Sequence, residues 1–176
     1  MPESTPSDPL HEATVGSERI YEGRLINLRR DTVRMPEGHE TTREVVEHRG
    51  AVVVLAYDRE GLIPLVRQWR VPVGGPLLEL PAGGIDPGEA PAAAAARELQ
   101  EEVGLKPGKL EQVAAFWAAP GWANEYLYAY VARDCEASQL PPDADENLEI
   151  HLRTLGEAMG LIEQGEIADS KSILLL

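Results

Sequence analysis

The chain has 176 residues, which allow one domain with a sizeable core, and its formal net charge of −14 opposes binding to a nucleic-acid backbone. Its single cysteine, Cys135, excludes an intrachain disulfide framework and fits a reducing compartment. No apolar run is long enough to span a membrane and the N-terminus lacks a signal sequence, so we expect a cytoplasmic protein that binds neither nucleic acid nor membrane.

The N-terminal part of the chain predicts a tail followed by a small sheet. Residues 1–17 are polar, rich in Pro and Ser and without periodicity, which predicts a disordered tail. Residues 18–48 predict a meander of three strands, at 24–28, 31–35 and 41–48. Because three strands cannot bury both faces alone, we expect this meander to pack on the rest of the chain or on a second subunit.

Two strands and a hairpin turn are predicted between residues 50 and 70. The first, 50–57, is continuously apolar and predicts a buried strand; the second, 62–70, carries Arg67 and Arg70 near its end. These arginines are either surface cations or phosphate ligands, since a guanidinium group pairs with two phosphate oxygens at once.

A short strand over residues 77–83 contains Glu79 between leucines, which is unusual inside a strand. Its carboxylate either points to solvent or faces the same cleft as the acidic residues that follow.

Residues 83–105 predict a glycine-rich turn that leads into a helix with three carboxylates. Pro91 suits the first helical turn, and Gly104 ends the helix as a left-handed cap. At about 100° per residue, one apolar face forms; it contains Ala92, Ala95, Ala96, Leu99 and Val103. Glu98, Glu101 and Glu102 lie directly beside this face. Glu98 and Glu102 repel at their i, i+4 spacing, so we expect a group that offsets the repulsion.

These carboxylates allow two interpretations. They form a solvated acidic face, with Arg97 paired to Glu101 one turn on. Alternatively, they form a site for Mg²⁺ or Mn²⁺ with positions left for substrate phosphates. The glycine-rich entry favours the second, because backbone groups at a helix N-terminus can approach a phosphate.

The remaining chain predicts strands and terminal helices. Strands are predicted at 110–118, 125–132 and 150–155, and helices at 156–163 and 168–176. Residues 138–146, rich in proline and acidic residues, predict an exposed mobile loop. The pattern indicates an α+β or mixed-sheet sandwich rather than a doubly wound fold.

Nine residues within positions 83–105 resemble the Nudix box at every fixed position of that signature. They are Gly83, Glu89, Arg97, Glu98, Leu99, Glu101, Glu102, Gly104 and Leu105. Residues 66–70, residues 78–83 and Pro120 resemble the ADP-ribose pyrophosphatase branch of the family. The resemblance covers roughly residues 18–176 and implies a Nudix hydrolase domain at 49–176.

The resemblance implies an α/β/α sandwich with a mixed sheet, preceded by an N-terminal antiparallel meander at 18–48 that joins two copies into a homodimer. It also implies Mg²⁺-dependent hydrolysis, with Mn²⁺ as a substitute. The substrate would be a small nucleoside diphosphate sugar, namely ADP-ribose, cleaved to AMP and ribose 5-phosphate.

The resemblance also assigns roles to individual residues. The metal ligands would be Glu98, Glu101, Glu102 and the Ala82 carbonyl. Arg97 would orient a metal-binding glutamate, with Glu89 in support. Glu146 on the late loop is the candidate base or water-orienting acid. Arg70 and Arg67 would contact the diphosphate, and Glu79 and Glu125 would reach the metal or the terminal ribose.

Two alternatives remain open at this point. The substrate could be another nucleoside diphosphate derivative, such as an ADP-sugar or NADH, or an oxidised nucleotide. The chain could also be an ADP-ribose sensor that binds without hydrolysis, although such a module is expected to have lost box carboxylates that this chain keeps.

Overall fold

The structure is a computed structural model that describes residues 8–141 and 147–176. Its backbone divides into two compact units. The first comprises Met1–His48 with Ala119–Glu125, and the second comprises Arg49–Ala118 with Tyr126–Leu176.

The first unit is built on an antiparallel three-stranded sheet. Its strands are β1 (Ala13–Glu22), β2 (Asn27–Arg34) and β3 (Glu40–Glu47), with β2 in the middle. The predicted meander therefore exists with different strands: residues 24–35 hold one strand rather than two, and β1 begins at Ala13, inside the predicted tail. Most of β1 is exposed, so its sequence lacks the hydrophobic alternation by which strands are recognised.

Ionic contacts hold this sheet together. Asp31 is 6% exposed and accepts hydrogen bonds from Ser17 Oγ at 2.7 Å and Arg29 Nε at 2.8 Å. Arg29 Nη1 also bonds Glu47 at 2.5 Å. Burial by itself would raise the pKa of Asp31, but the hydrogen bonds from Ser17 and Arg29 outweigh it and hold that pKa below its usual range. The carboxylate thus stays charged inside the sheet.

The second unit contains nine strands and three α-helices within the described residues, besides a short 3₁₀ helix at Val71–Val73. They are β4 (Ala51–Ala56), β5 (Ile63–Arg70), β6 (Gly75–Glu79), β7 (Ala82–Gly84), α1 (Pro91–Val103), β8 (Leu105–Lys106), β9 (Lys109–Trp117), β10 (Tyr126–Arg133), β11 (Glu136–Ala137), β12 (Leu148–Arg153), α2 (Leu155–Glu163) and α3 (Ser170–Leu175). None of the helices in the described part of the chain is long and apolar enough to cross a bilayer.

Two sheets form the body of this unit. One has the order β7-β4-β10-β9 and is mixed, because β10 runs parallel to β4 while the other pairs are antiparallel. The other has the order β12-β5-β6 and is antiparallel throughout. A short ribbon pairs β11 with β8.

The core forms on both faces of β4. Val52 and Val54 pack with Leu99 of α1 on one face. Val53 and Leu55 pack on the other face, against a layer that includes Ile63, Leu65, Ala158 and Ile167 from β5, α2 and the approach to α3. Because successive strand residues point to opposite faces, a continuous apolar run is needed to fill both layers. The expected α+β sandwich with a mixed sheet is confirmed.

The turn from β7 into α1 positions the acidic residues. Pro91 starts the helix as predicted, and Gly104 ends it with φ of 68°, the left-handed conformation that glycine adopts readily. The Gly104 N–H donates to the Gln100 carbonyl at 3.2 Å. The helix boundaries predicted from the sequence are confirmed.

Candidate active site

Helix α1 turns two of its carboxylates toward the sheet. Glu98 and Glu102 are only 7% and 4% exposed, and they lie in the buried stripe with Ala94, Ala95 and Leu99. The prediction placed these acids beside the apolar face and included Ala92 in that face. Ala92 is exposed, so its inclusion in the apolar face is wrong. Compared with the prediction, the buried face of the helix is shifted around its axis toward Glu98 and Glu102.

The backbone of β7 explains this rotation. A Cβ atom at Gly83 would overlap the Glu98 carboxylate, so a glycine is required for the close approach. One residue earlier, the Ala82 N–H donates to Glu102 Oε2 at 3.0 Å. Strand β7 therefore provides space for one carboxylate and a hydrogen bond for the other.

Arg97 joins the acidic residues of the box. Its Nη1 bonds Glu98 at 2.7 Å and Glu101 at 2.8 Å, its Nη2 bonds the Gly84 carbonyl at 2.9 Å, and its Nε bonds Glu89 at 3.0 Å. These bonds, chiefly that to Glu89, raise the pKa of Arg97, and the same bond holds the pKa of Glu89 below its usual range. The guanidinium group therefore pairs with Glu98, one member of the repelling i, i+4 pair, while Glu102, the other member, accepts the Ala82 N–H.

The donor chemistry of this cluster fits a hard divalent cation, because carboxylate and carbonyl oxygens are the ligands that Mg²⁺ prefers. The side chains are not gathered around a common point, however. Across residues 8–141 and 147–176, no group of three His, Cys, Asp or Glu residues is arranged to hold a metal ion. Arg97 Nη1 instead bridges Glu98 and Glu101.

A second ionic cluster forms where β5, β6 and α3 meet. Glu79 is 3% exposed; its Oε2 accepts from Arg70 Nε at 2.7 Å and its Oε1 from Lys171 Nζ at 2.5 Å. Lys171 also donates to Asp169 at 2.9 Å. The possibility that Glu79 points to solvent is therefore wrong. Sequence reasoning missed Lys171 and Asp169, which lie about ninety residues from Glu79 and belong to no recognisable motif.

The two predicted phosphate ligands are separated. Arg67 and Arg70 lie three residues apart on β5 and so leave opposite faces of the strand. Arg67 is exposed and its Nη1 bonds Glu149 of β12 at 2.9 Å. Only Arg70 joins the buried cluster around Glu79.

Two predicted site residues remain, Glu125 and Glu146. Glu125 belongs to the first unit, where its Oε1 lies 3.7 Å from His48 Nδ1. Glu146 and most of the predicted loop at 138–146 lie outside the described residues. The roles assigned to both acids stay predictions.

Two family models match successive parts of the chain. The NUDIX domain family matches residues 47–176, and the nucleoside diphosphate sugar hydrolase N-terminal domain matches residues 12–46.

Relatives with named activities match nearly the whole chain. The ADP-ribose pyrophosphatase of Bacillus subtilis is 38% identical over 165 residues, covering 93% of this chain and 89% of the relative. The ADP-ribose pyrophosphatase of Mycobacterium tuberculosis is 41% identical over 163 residues, covering 91% and 79%.

The crystal structure of an ADP compounds hydrolase superposes with a TM-score of 0.83 at 24% identity, covering 94% of this chain and 91% of the other. At this level of identity the superposition demonstrates the fold.

We predict that Gly83→Ala displaces the Glu98 carboxylate, whereas Gly84→Ala does not. The added Cβ meets Glu98 in the first variant and nothing within 4 Å in the second. Losing the Arg97–Glu98 bond should lower the melting temperature of Gly83→Ala by about 2–4 °C, the shift produced by about 1 kcal/mol in a protein of this size. Gly84→Ala is the matched control and should hold or raise the melting temperature, because alanine restricts the unfolded chain. Equal melting temperatures in thermal unfolding would contradict this contact.

Proposed function

This chain belongs to the Nudix family, and we propose that it hydrolyses the diphosphate bond of ADP-ribose to AMP and ribose 5-phosphate. The observation that carries the proposal is the box itself, whose carboxylates are all present. Glu98 and Glu102 contact β7, and Arg97 bonds both Glu98 and Glu101. The activity named for the Bacillus and Mycobacterium relatives supports this substrate, since the similarity extends over more than nine-tenths of the chain.

Nudix hydrolases generally need divalent metal ions. We propose Mg²⁺ here, with Mn²⁺ as a substitute, held by Glu98, Glu101, Glu102 and the Ala82 carbonyl. When bound, the metal would neutralise the diphosphate and make a bound water more acidic. Its binding would require Glu98 and Glu101 to exchange their shared bond with Arg97 for metal contacts.

Arg97 acts in this proposal as the residue that orders the carboxylates. Its contacts with Glu89 and the Gly84 carbonyl do not involve the proposed ligands, so the guanidinium group stays anchored while Glu98 and Glu101 turn. The positive charge beside the ligands also reduces repulsion among three acids in an already acidic protein.

Arg70 is the cation that we assign to the diphosphate. It donates to Glu79 through Nε, which leaves its terminal amino groups for phosphate oxygens. Glu79 would therefore orient Arg70 rather than touch ribose. Arg67 would reach substrate only from the other face of β5 after leaving Glu149, and Glu125 keeps its proposed role toward metal or terminal ribose.

Glu146 is our candidate for the acid that aligns or deprotonates the attacking water. A positioned carboxylate contributes about 10²–10⁴-fold in such a step. Gln139, in the loop that leads to Glu146, contacts the C-terminal turn of α1, because its Nε2 donates to the Glu101 carbonyl at 2.9 Å. The described part of this loop therefore contacts the backbone of one proposed metal ligand.

We further propose that the protein is a cytoplasmic homodimer joined through the first unit. Asp31 and Val33 are the buried residues of that unit among those the structure describes, while Val15, Ile20 and Tyr21 of β1 are 44–56% exposed. An antiparallel sheet with so small a core needs a further partner for its apolar side chains.

The dimer is tested by sedimentation velocity on the wild type and two variants. We expect a mass twice the 19.2 kDa of one chain and dissociation of Ile20→Asp, because burying an unpaired charge opposes association. Val113→Asp, at a residue of β9 that is 48% exposed, is the matched control and should remain dimeric. A wild type that sediments as a single chain would exclude the dimer.

The substrate is tested by measuring AMP release with and without Mg²⁺. The panel contains ADP-ribose, an ADP-sugar, NADH, GDP-mannose and 8-oxo-dGTP. We expect metal-dependent turnover with the highest kcat/KM for ADP-ribose. Preference for another member would retain the chemistry and overturn the substrate, and ADP-ribose binding without turnover of any member would identify a sensor instead.

Two glutamine variants separate metal binding from water activation. In Glu102→Gln, the amide oxygen can still accept the Ala82 hydrogen bond, but the ligand loses its charge; we expect the Mg²⁺ concentration for half-maximal activity to rise at least tenfold. In Glu146→Gln, we expect kcat to fall by about 10²-fold or more with an unchanged Mg²⁺ requirement. Glu111→Gln, on an exposed residue of β9, is the control. Near-normal activity of either site variant would remove that residue from its role.

A further inference from the structure

Helix α3 is attached to the segment that connects the two ionic clusters. Lys171 Nζ bonds the Glu79 carboxylate at 2.5 Å, and the Leu80 N–H donates to Ser172 Oγ at 2.8 Å. Ser172 is fully buried, and the Lys171 side chain is 16% exposed. Two residues after Leu80, Ala82 bonds Glu102. Helix α3 therefore contacts the backbone between Glu79, which pairs with Arg70, and Ala82, which bonds Glu102.

Lys171 determines how Arg70 and Glu79 pair. A guanidinium group and a carboxylate normally prefer two parallel hydrogen bonds, which here would use one terminal amino group of Arg70. Lys171 occupies Glu79 Oε1, and Arg70 bonds Oε2 through Nε. Within residues 8–141 and 147–176, the terminal amino groups of Arg70 donate to no protein atom.

Asp169 holds Lys171 in this position. It also caps α3, because its Oδ2 accepts from the Ser172 N–H at 3.0 Å. A neutral Asn or Ser would cap the helix as well, whereas the Asp169 carboxylate leaves Oδ1 buried with no hydrogen-bond partner among the described residues. Burying that charge is unfavourable, and the 2.9 Å ion pair with Lys171 offsets it.

We propose that Lys171 is a positioning residue for diphosphate binding: by neutralising one oxygen of Glu79, it keeps the terminal amino groups of Arg70 directed to phosphate. The proposal rests on the proposed function, since it takes a diphosphate as the ligand of Arg70. Lys171 itself would touch neither the substrate nor the metal.

The test compares Lys171→Met, Lys171→Arg and Lys109→Met in ADP-ribose hydrolysis at saturating Mg²⁺. Methionine keeps most of the apolar stem without the charge, so Arg70 should close onto both oxygens of Glu79. We expect KM to rise about tenfold, as for the loss of one charged hydrogen bond, with kcat within about twofold of wild type. Lys171→Arg should recover most of the wild-type KM. Lys109→Met, which breaks an exposed pair with Asp134 at 2.8 Å, should leave both constants unchanged.

A merely structural role for Lys171 would give a different result. Thermal unfolding would then show a loss of stability in Lys171→Met with KM unchanged, and this outcome overturns the proposal, as does a Lys171→Arg variant that matches Lys171→Met. If Lys171→Met does not fold, Asp169→Asn decides, because it keeps the cap and removes the charge that holds Lys171. An increase in KM supports the proposal, and an unchanged KM rejects it.

Titration calorimetry with inorganic pyrophosphate separates failure of this proposal from failure of the proposed function. If the wild type hydrolyses no member of the substrate panel, the proposed function fails. Weaker pyrophosphate binding by Lys171→Met than by wild type would still support the role of Lys171. Equal binding by the two proteins would reject that role whatever the activity.

Discussion

The packing of two like-charged carboxylates against one strand is the constraint on which the rest of the site depends. Glu98 and Glu102 are both nearly buried in the stripe of α1 that faces β7. Removing such a pair from water costs several kcal/mol per ion unless each charge has partners. A glycine without a Cβ, a backbone N–H and the Arg97 guanidinium provide the space and the partners. The spacing of the Nudix box thus serves the packing of the helix as well as its chemistry.

The segment from Glu79 to Ala82 links this cluster to the second one. Its two ends lie at most about 11 Å apart, as three residues of extended chain allow. One end holds Arg70 and Lys171 through a carboxylate, and the other bonds Glu102 through its backbone. Between them, Leu80 bonds Ser172 and the Pro81 carbonyl accepts from Val54 of the central sheet. The cationic and acidic parts of the site therefore both contact one short backbone segment, residues 79–82, which hydrogen bonds to α3 and β4 hold in place.

Basic side chains are paired with specific carboxylates, although the chain as a whole is strongly acidic. Arg97, Arg70 and Lys171 each contact at least one carboxylate. The carboxylates thereby hold cations within the proposed site, where an anionic substrate requires them. The first unit uses similar pairing for a different purpose, since Asp31, Arg29 and Glu47 hold its sheet in place of a large core. The partners in this network lie on three different strands, so the roles of these residues cannot be inferred from the local sequence.

The amino-acid sequence by itself determined the bounds of α1, the buried strand β4 and the residues of the box, because helix caps, apolar runs and motif spacing act over a few neighbouring residues. It also identified the family. Only the tertiary structure decided the rotation of α1, the existence of β1 and the environment of Glu79. Contact with β7 rotates the helix, cross-strand pairing forms β1 without an apolar pattern, and Lys171 reaches Glu79 across 92 residues of chain. Long-range packing brings these groups together, and no local pattern encodes it.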